Sequence, residues 1–69
     1  MSKQDFYVVI ERDEDGLYVG EVPQLHACYS QGRTIDELMS NIREVVELCL
    51  EDEELGSIPE FVGVQKIEL

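Results

Sequence analysis

One apolar stripe constrains the fold of this 69-residue chain more than any other feature. Between residues 35 and 49, apolar side chains recur every three or four positions, which is typical of one buried face of an amphipathic helix. A single stripe of this length predicts one helix that packs on one other layer, and the remaining residues have to supply that layer. The stripe comprises Ile35, Leu38, Met39, Ile42, Val45, Val46 and Cys49.

A start signal stands directly before the stripe. Thr34-Ile35-Asp36-Glu37 is a capping box, in which the Thr34 hydroxyl accepts from the N–H of Glu37 and the Glu37 carboxylate reaches back to the N–H of Thr34. The acids at residues 51–54 oppose the helix dipole, so the helix is expected to end between Leu50 and Glu53.

Three short segments before the helix predict strands, because they are rich in aromatic and β-branched residues and are bounded by turn residues. Phe6–Glu11 places Phe6, Val8 and Ile10 on one face. An acidic turn with Gly16 joins it to the second strand, Leu17–Val22, which Pro23 ends. The third strand is predicted over Ala27–Gln31, and Gly32 is expected to break it.

The predicted order is β-β-β-α-β, an α+β fold in one domain spanning residues 1–69. Three strands form an antiparallel meander, and a fourth over Phe61–Leu69 would lie beside strand 1 and run parallel to it through a right-handed crossover. This gives the strand order 3-2-1-4 with the helix on one face. Tyr7 and Val9 should then lie on the other face, where self-association or a partner is expected.

The small size predicts that the chain does not act alone. A domain this short buries only about 60% of the surface of its unfolded chain, and its core supplies about 3–5 kcal/mol. Two cysteines allow one disulfide at most. We therefore expect a homodimer, a homotetramer or a dedicated partner.

Charge limits the class of that partner. Sixteen acidic residues against five basic ones give a net charge of -11, so direct binding to nucleic acid or to an anionic membrane is not expected. A basic protein partner fits, and so does a role of the charge in solubility or in adaptation to a salty or hot habitat. The absence of a visible signal peptide and the longest apolar run of five residues predict a cytoplasmic protein, in which Cys28 and Cys49 are free thiols.

Candidate catalytic and metal-binding residues are few. His26 and Cys28 point the same way on an extended chain, but no residue nearby in sequence would orient the His. The spacing of one His and two Cys fits no zinc site, and the turn at 11–16 lacks the Glu that a calcium loop needs at its twelfth position, which is Val22. Gly32 before the helix is a single glycine rather than a phosphate loop. We therefore predict no enzyme activity, no catalytic residue, no metal and no cofactor.

The stretch IERDEDGLYVGEVPQLHACYSQGRTIDELMSNIREVVELCLED resembles the HicB-like antitoxin family, including its short stand-alone members of uncharacterised function. It departs from the usual pattern at Ala27, where the family has Gly, and at Leu38, where it has Ala. Neither change is expected to alter the fold. The residues that carry the resemblance, to which we assign structural roles, are Pro23, Leu25, Cys28, Ser30, Gly32, Thr34 and Glu37.

The resemblance implies a partial RNase H-like fold without nuclease activity and a HicA-like partner, a small basic mRNA-cleaving toxin that is neutralised by protein–protein contact. Full-length HicB antitoxins carry a C-terminal DNA-binding domain, for which this sequence has no room, so operator binding is not expected. The alternative is a stand-alone homo-oligomer of the same fold with an unrelated role. The predicted partner-binding residues are Tyr7, Val9, Glu44, Glu47, Glu51 and Asp52.

Overall fold

The computed structural model describes residues 5–51 and 58–69. Its strands are β1 (Val9–Arg12), β2 (Tyr18–Glu21) and β3 (Tyr29–Gly32), and its helix is α1 (Ile35–Leu50). The sheet order is β1-β2-β3, and both pairs are antiparallel. The predicted α+β meander with one helix is confirmed.

The turn between β1 and β2 is organised by one carboxylate. Asp13 Oδ1 accepts from the backbone N–H groups of Asp15 and Leu17, each at 2.9 Å. The Gly16 N–H donates to the Asp13 carbonyl at 3.0 Å, and Gly16 takes a φ of 83°. An aspartate that caps its own turn in this way fixes the register of the hairpin.

A compact loop joins β2 to β3 and delays the start of the third strand. The Val22 N–H donates to the Cys28 carbonyl at 2.9 Å, which closes the loop. Within it, Ala27 has a φ of 56°, in the left-handed region that a strand does not use. The predicted start of strand 3 at Ala27 is therefore wrong, and β3 begins at Tyr29.

Helix α1 begins as predicted, with one difference. The Glu37 N–H donates to the Thr34 hydroxyl at 3.0 Å, which confirms the N-cap. The Glu37 carboxylate, however, accepts from the N–H of Arg33 at 2.7 Å rather than from that of Thr34. The helix ends at Leu50 with Glu51 as its C-cap, within the expected range.

Two glycines let the helix approach the sheet. An added Cβ at Gly32 would lie 2.6 Å from the backbone nitrogen of Leu38, and one at Gly20 would lie 3.1 Å from the Leu38 side chain. Gly32 is the last residue of β3 and is buried. It was expected to break the strand, whereas the structure shows that it is needed for close packing of β3 on α1.

The core between these layers is small. Its buried apolar residues are Val22, Leu25, Cys28, Leu38 and Ile42. Phe6, Val8, Val45, Val46 and Cys49 pack against it and are half-buried. Two residues of the predicted stripe, Ile35 and Met39, remain 42% and 40% exposed, so the stripe is wider than the sheet that covers it.

Residues 58–69 form no helix or strand, so the predicted fourth strand over Phe61–Leu69 is not confirmed. Within this segment, Ile58 packs against the core, and Phe61 stacks on Tyr7 with ring centroids 4.8 Å apart. Beyond it, Val62, Val64 and Ile67 are 91%, 73% and 80% exposed. A strand needs a neighbour for both its backbone and its side chains, and in the described part of the chain these residues join no sheet.

Candidate interaction surface

The exposed side of helix α1 is acidic. Glu44, Glu47 and Glu51 are all exposed and follow one another at steps of three and four, so they form one stripe. The last turn of the helix contains no basic residue. We call Glu44, Glu47 and Glu51 the acidic stripe.

The sheet face opposite the helix presents aromatic side chains. Gly20 faces Leu38 of the helix, so the alternation along the strands puts the row Val9, Glu21 and Tyr29 on the other face. Tyr29 is 62% exposed. It was not among the predicted contact residues, although alternation with the inward-facing Cys28 and Ser30 would have identified it.

Helix α1 and the chain leading into β1 enclose an apolar groove of about 670 Å³. The sequence did not reveal the groove, because its existence depends on how far the sheet extends under the helix. The only hint was the width of the apolar stripe. The groove is lined by Phe6, Val8, Met39, Ser40, Ile42, Arg43, Val46, Glu47 and Leu50.

The predicted contact residues fall on two sides of the molecule. Tyr7 is 51% exposed beside β1, and Val9 is half-buried on the face without the helix. The acidic stripe lies on the opposite layer, and only Glu47 borders the groove. Asp52 lies outside the described residues.

The cysteine of the candidate Cys–His pair is unsuited to nucleophilic attack. Cys28 has no solvent exposure, whereas His26 is exposed. Burial, reinforced by a hydrogen bond with the Cys49 thiol and by its charge when ionised, raises the pKa of Cys28 to about 12. Because the thiolate is the reactive form, Cys28 stays protonated and inert near neutral pH. Both cysteines are free thiols.

The acidic residues do not gather into a metal site in residues 5–51 and 58–69, where no cluster of three suitable ligands occurs. Asp13, which looked like part of a calcium loop, uses one carboxylate oxygen to hold its own turn. In the same described ranges, no helix has the length and apolar character to span a membrane.

Comparison with known proteins identifies the family. The model of the HicB_like antitoxin of bacterial toxin-antitoxin systems matches residues 6–68. The chain belongs to the HicB-like antitoxin family. A UPF0150 protein of Synechocystis is 75% identical over 97% of both chains. UPF0150 proteins of Archaeoglobus fulgidus and Thermotoga maritima are 47% and 37% identical, over 93% of this chain and 93% and 88% of theirs.

The structure gives physical roles to several residues that carry the HicB-like resemblance. Leu25 and Cys28 are buried in the core, Gly32 admits the helix, and Thr34 and Glu37 cap it. Pro23 directly follows the buried Val22 in the closed loop, and Ser30 is half-buried in β3. Ala27, where the usual residue is Gly, occupies a left-handed conformation that Gly adopts without strain.

Proposed function

We propose that this HicB-like domain neutralises a basic, HicA-like mRNA-cleaving toxin by protein–protein contact in the cytoplasm. The observation that carries the proposal is the acidic stripe on a helix whose last turn has no basic residue, in a chain of net charge -11. A ribonuclease that binds the phosphates of RNA needs clustered Lys and Arg. An acidic surface is complementary to such a cluster and can occupy it in place of RNA.

The charge pattern also favours fast capture of the toxin. Opposite charges on two proteins raise the association rate, and the effect weakens as salt screens them. The acidic stripe is exposed in the described chain, so its carboxylates can meet a partner without rearrangement of the fold. Tyr7, Val9 and Tyr29 on the opposite face form a second, less charged candidate contact.

The test begins with the neighbouring reading frames, and a HicA-like product found there is co-expressed with this chain. The HicB-like chain should restore growth and block cleavage of mRNA by the purified toxin. The triple substitution Glu44→Gln, Glu47→Gln and Glu51→Gln should weaken toxin binding about tenfold, mainly through the association rate. The effect should shrink as salt is raised from 50 to 500 mM.

A matched control separates local charge from total charge. The triple substitution Glu14→Gln, Asp15→Asn and Glu60→Gln removes the same three charges from exposed positions outside the helix. The dissociation constant of this control variant for the toxin should differ from that of the parent by less than about twofold. Equal losses of toxin affinity in the two triple variants would show that the effect comes from net charge alone. Failure to bind any basic toxin, together with a pull-down from the native host that recovers none, would refute the proposed function.

The second candidate, a stand-alone homo-oligomer, is favoured by a different observation. In the described part of the chain, the apolar groove is open and the aliphatic residues after Phe61 are exposed. In a partial RNase H-like fold a fourth strand would lie at the open edge of β1, next to this groove. Light scattering of the purified protein tests this candidate, since a monomer at all concentrations would exclude it.

A further inference from the structure

The edge of β1 that faces away from β2 has backbone groups with which another strand can pair. Among residues 5–51 and 58–69, β1 pairs only with β2. The Tyr7 N–H and the Asp5 carbonyl are bound by the side chain of Gln24, which follows β2 in the chain. Because backbone groups of successive residues in a strand point to opposite sides, those of Val8 and Ile10 point toward the open edge. Unpaired edge groups of this kind are a template for another strand.

The groove lies directly beside that edge. Phe6 and Val8 form its floor on the sheet side, and Met39, Ile42, Val46 and Leu50 line it from the helix. A strand added to β1 would therefore send every second side chain into an apolar cleft.

The C-terminal segment has the pattern that such a position requires. It reads Val62-Gly63-Val64-Gln65, so two β-branched residues alternate with a glycine and a polar residue. Val62 and Val64 are 91% and 73% exposed in the chain that carries them. Phe61, just before them, is held by its own Tyr7.

We propose that the groove is filled by Val62 and Val64 of a second copy of this chain, whose segment pairs with the open edge of β1. The exchange is reciprocal, because a twofold axis makes each copy both donor and acceptor. The resulting homodimer completes the sheet with a fourth strand from the partner. This inference rests on the second candidate function, the homo-oligomer, and names its interface; it does not depend on toxin binding. A dimer whose groove is cross-linked only within one chain would refute the exchange and leave the homo-oligomer standing.

The size of the exchange suits a stable dimer. A specific complex typically buries on the order of 1,600 Å², and the reciprocal exchange supplies two strands, each with an edge and a groove, toward that area. The single chain buries five apolar residues in its described core. A domain of this size buries only about 60% of its unfolded surface, so association adds apolar burial that one chain lacks.

Charge makes the dimer distinguishable from the toxin complex. Two chains of net charge -11 repel each other, and salt screens that repulsion. Dimerisation should therefore strengthen as salt is raised, whereas binding of a basic toxin should weaken. Failure of one proposal leaves the other intact.

The first experiment is sedimentation velocity of the full chain at 150 and 500 mM salt. We expect a species of twice the 7.9 kDa chain mass. The double substitution Val62→Asp and Val64→Asp should raise the dissociation constant about 100-fold or more, since it drives charge into an apolar cleft. The control is the double substitution Gln65→Asp and Ile67→Asp, which adds the same charge on the side of the segment that faces away from the groove. It should change the dissociation constant of the dimer less than fivefold.

The second experiment identifies whose segment fills the groove. Val64 is replaced by the photo-crosslinker benzoylphenylalanine. Unlabelled (light) chains and ¹⁵N-labelled (heavy) chains are mixed before irradiation. Cross-links between light and heavy chains at Met39 or Leu50 are expected. Cross-links to the groove within one chain only, or a monomer at every concentration and salt, would overturn the proposal. Circular dichroism checks that each variant is folded, which is expected because Val62 and Val64 are exposed in the single chain.

Discussion

Ala27→Gly should stabilise the protein, which is unusual for a change that removes a side-chain atom. Ala27 is exposed and has a φ of 56°. An L-residue in the left-handed region loses roughly 1–2 kcal/mol relative to the right-handed one. Glycine avoids this strain. Its unfolded chain has more conformational freedom than that of Ala, however, and losing that freedom on folding costs about 0.5–1 kcal/mol. The difference is a net stabilisation of about 0.5–1 kcal/mol.

The assay is urea unfolding followed by circular dichroism at one fixed protein concentration, with thermal unfolding as a second measurement. For a domain of this size the Tm should rise by about 2–8 °C. Ser40→Gly is the matched control, because Ser40 lies inside α1 and glycine there should destabilise by about 0.5 kcal/mol. An Ala27→Gly protein that is no more stable than the parent would show that position 27 is not strained.

Three further changes test the packing and the buried thiol. Thr34→Ala should cost about 1 kcal/mol of unfolding free energy, because the helix loses its N-cap acceptor. Gly32→Ala should cost about 2–3 kcal/mol, since its Cβ meets the backbone of Leu38; Gly20→Ala, which meets side chains, should cost less in the same denaturation assay. The raised pKa of Cys28 means that stability is retained below about pH 9 and falls as pH rises toward 12. The stability advantage of the parent over Cys28→Ala should therefore shrink between pH 8 and 10.5, and an advantage that stays constant would contradict the raised pKa.

Features encoded within a few residues were predictable from the sequence. The helix, its Thr34 cap and the acidic hairpin turn follow from periodicity and from side chains that bond to their own local backbone. The order of the three strands followed from short connections, which favour neighbouring antiparallel strands.

Features that depend on how the layers pack and how the loops close in three dimensions were not predictable. Gly32 looked like a strand breaker, because a sequence does not show that Leu38 lies 2.6 Å from its missing Cβ. The strain at Ala27 follows from closure of the loop by the Val22–Cys28 hydrogen bond. A strand over residues 61–69 was expected from composition, but strand formation depends on a partner rather than on composition alone. The groove was missed for the same reason.

The tight contact between Gly32 and Leu38 has a consequence for how fast the chain folds. The two residues are six positions apart, so this contact between sheet and helix closes a short loop, at small entropic cost. The two hairpin pairings are also local. We expect β3 and the first turns of α1 to form the folding nucleus, and folding to be rapid because few contacts span the whole chain. Substitutions at Gly32 should then slow folding more than they accelerate unfolding, whereas those near Phe61 should act on unfolding alone.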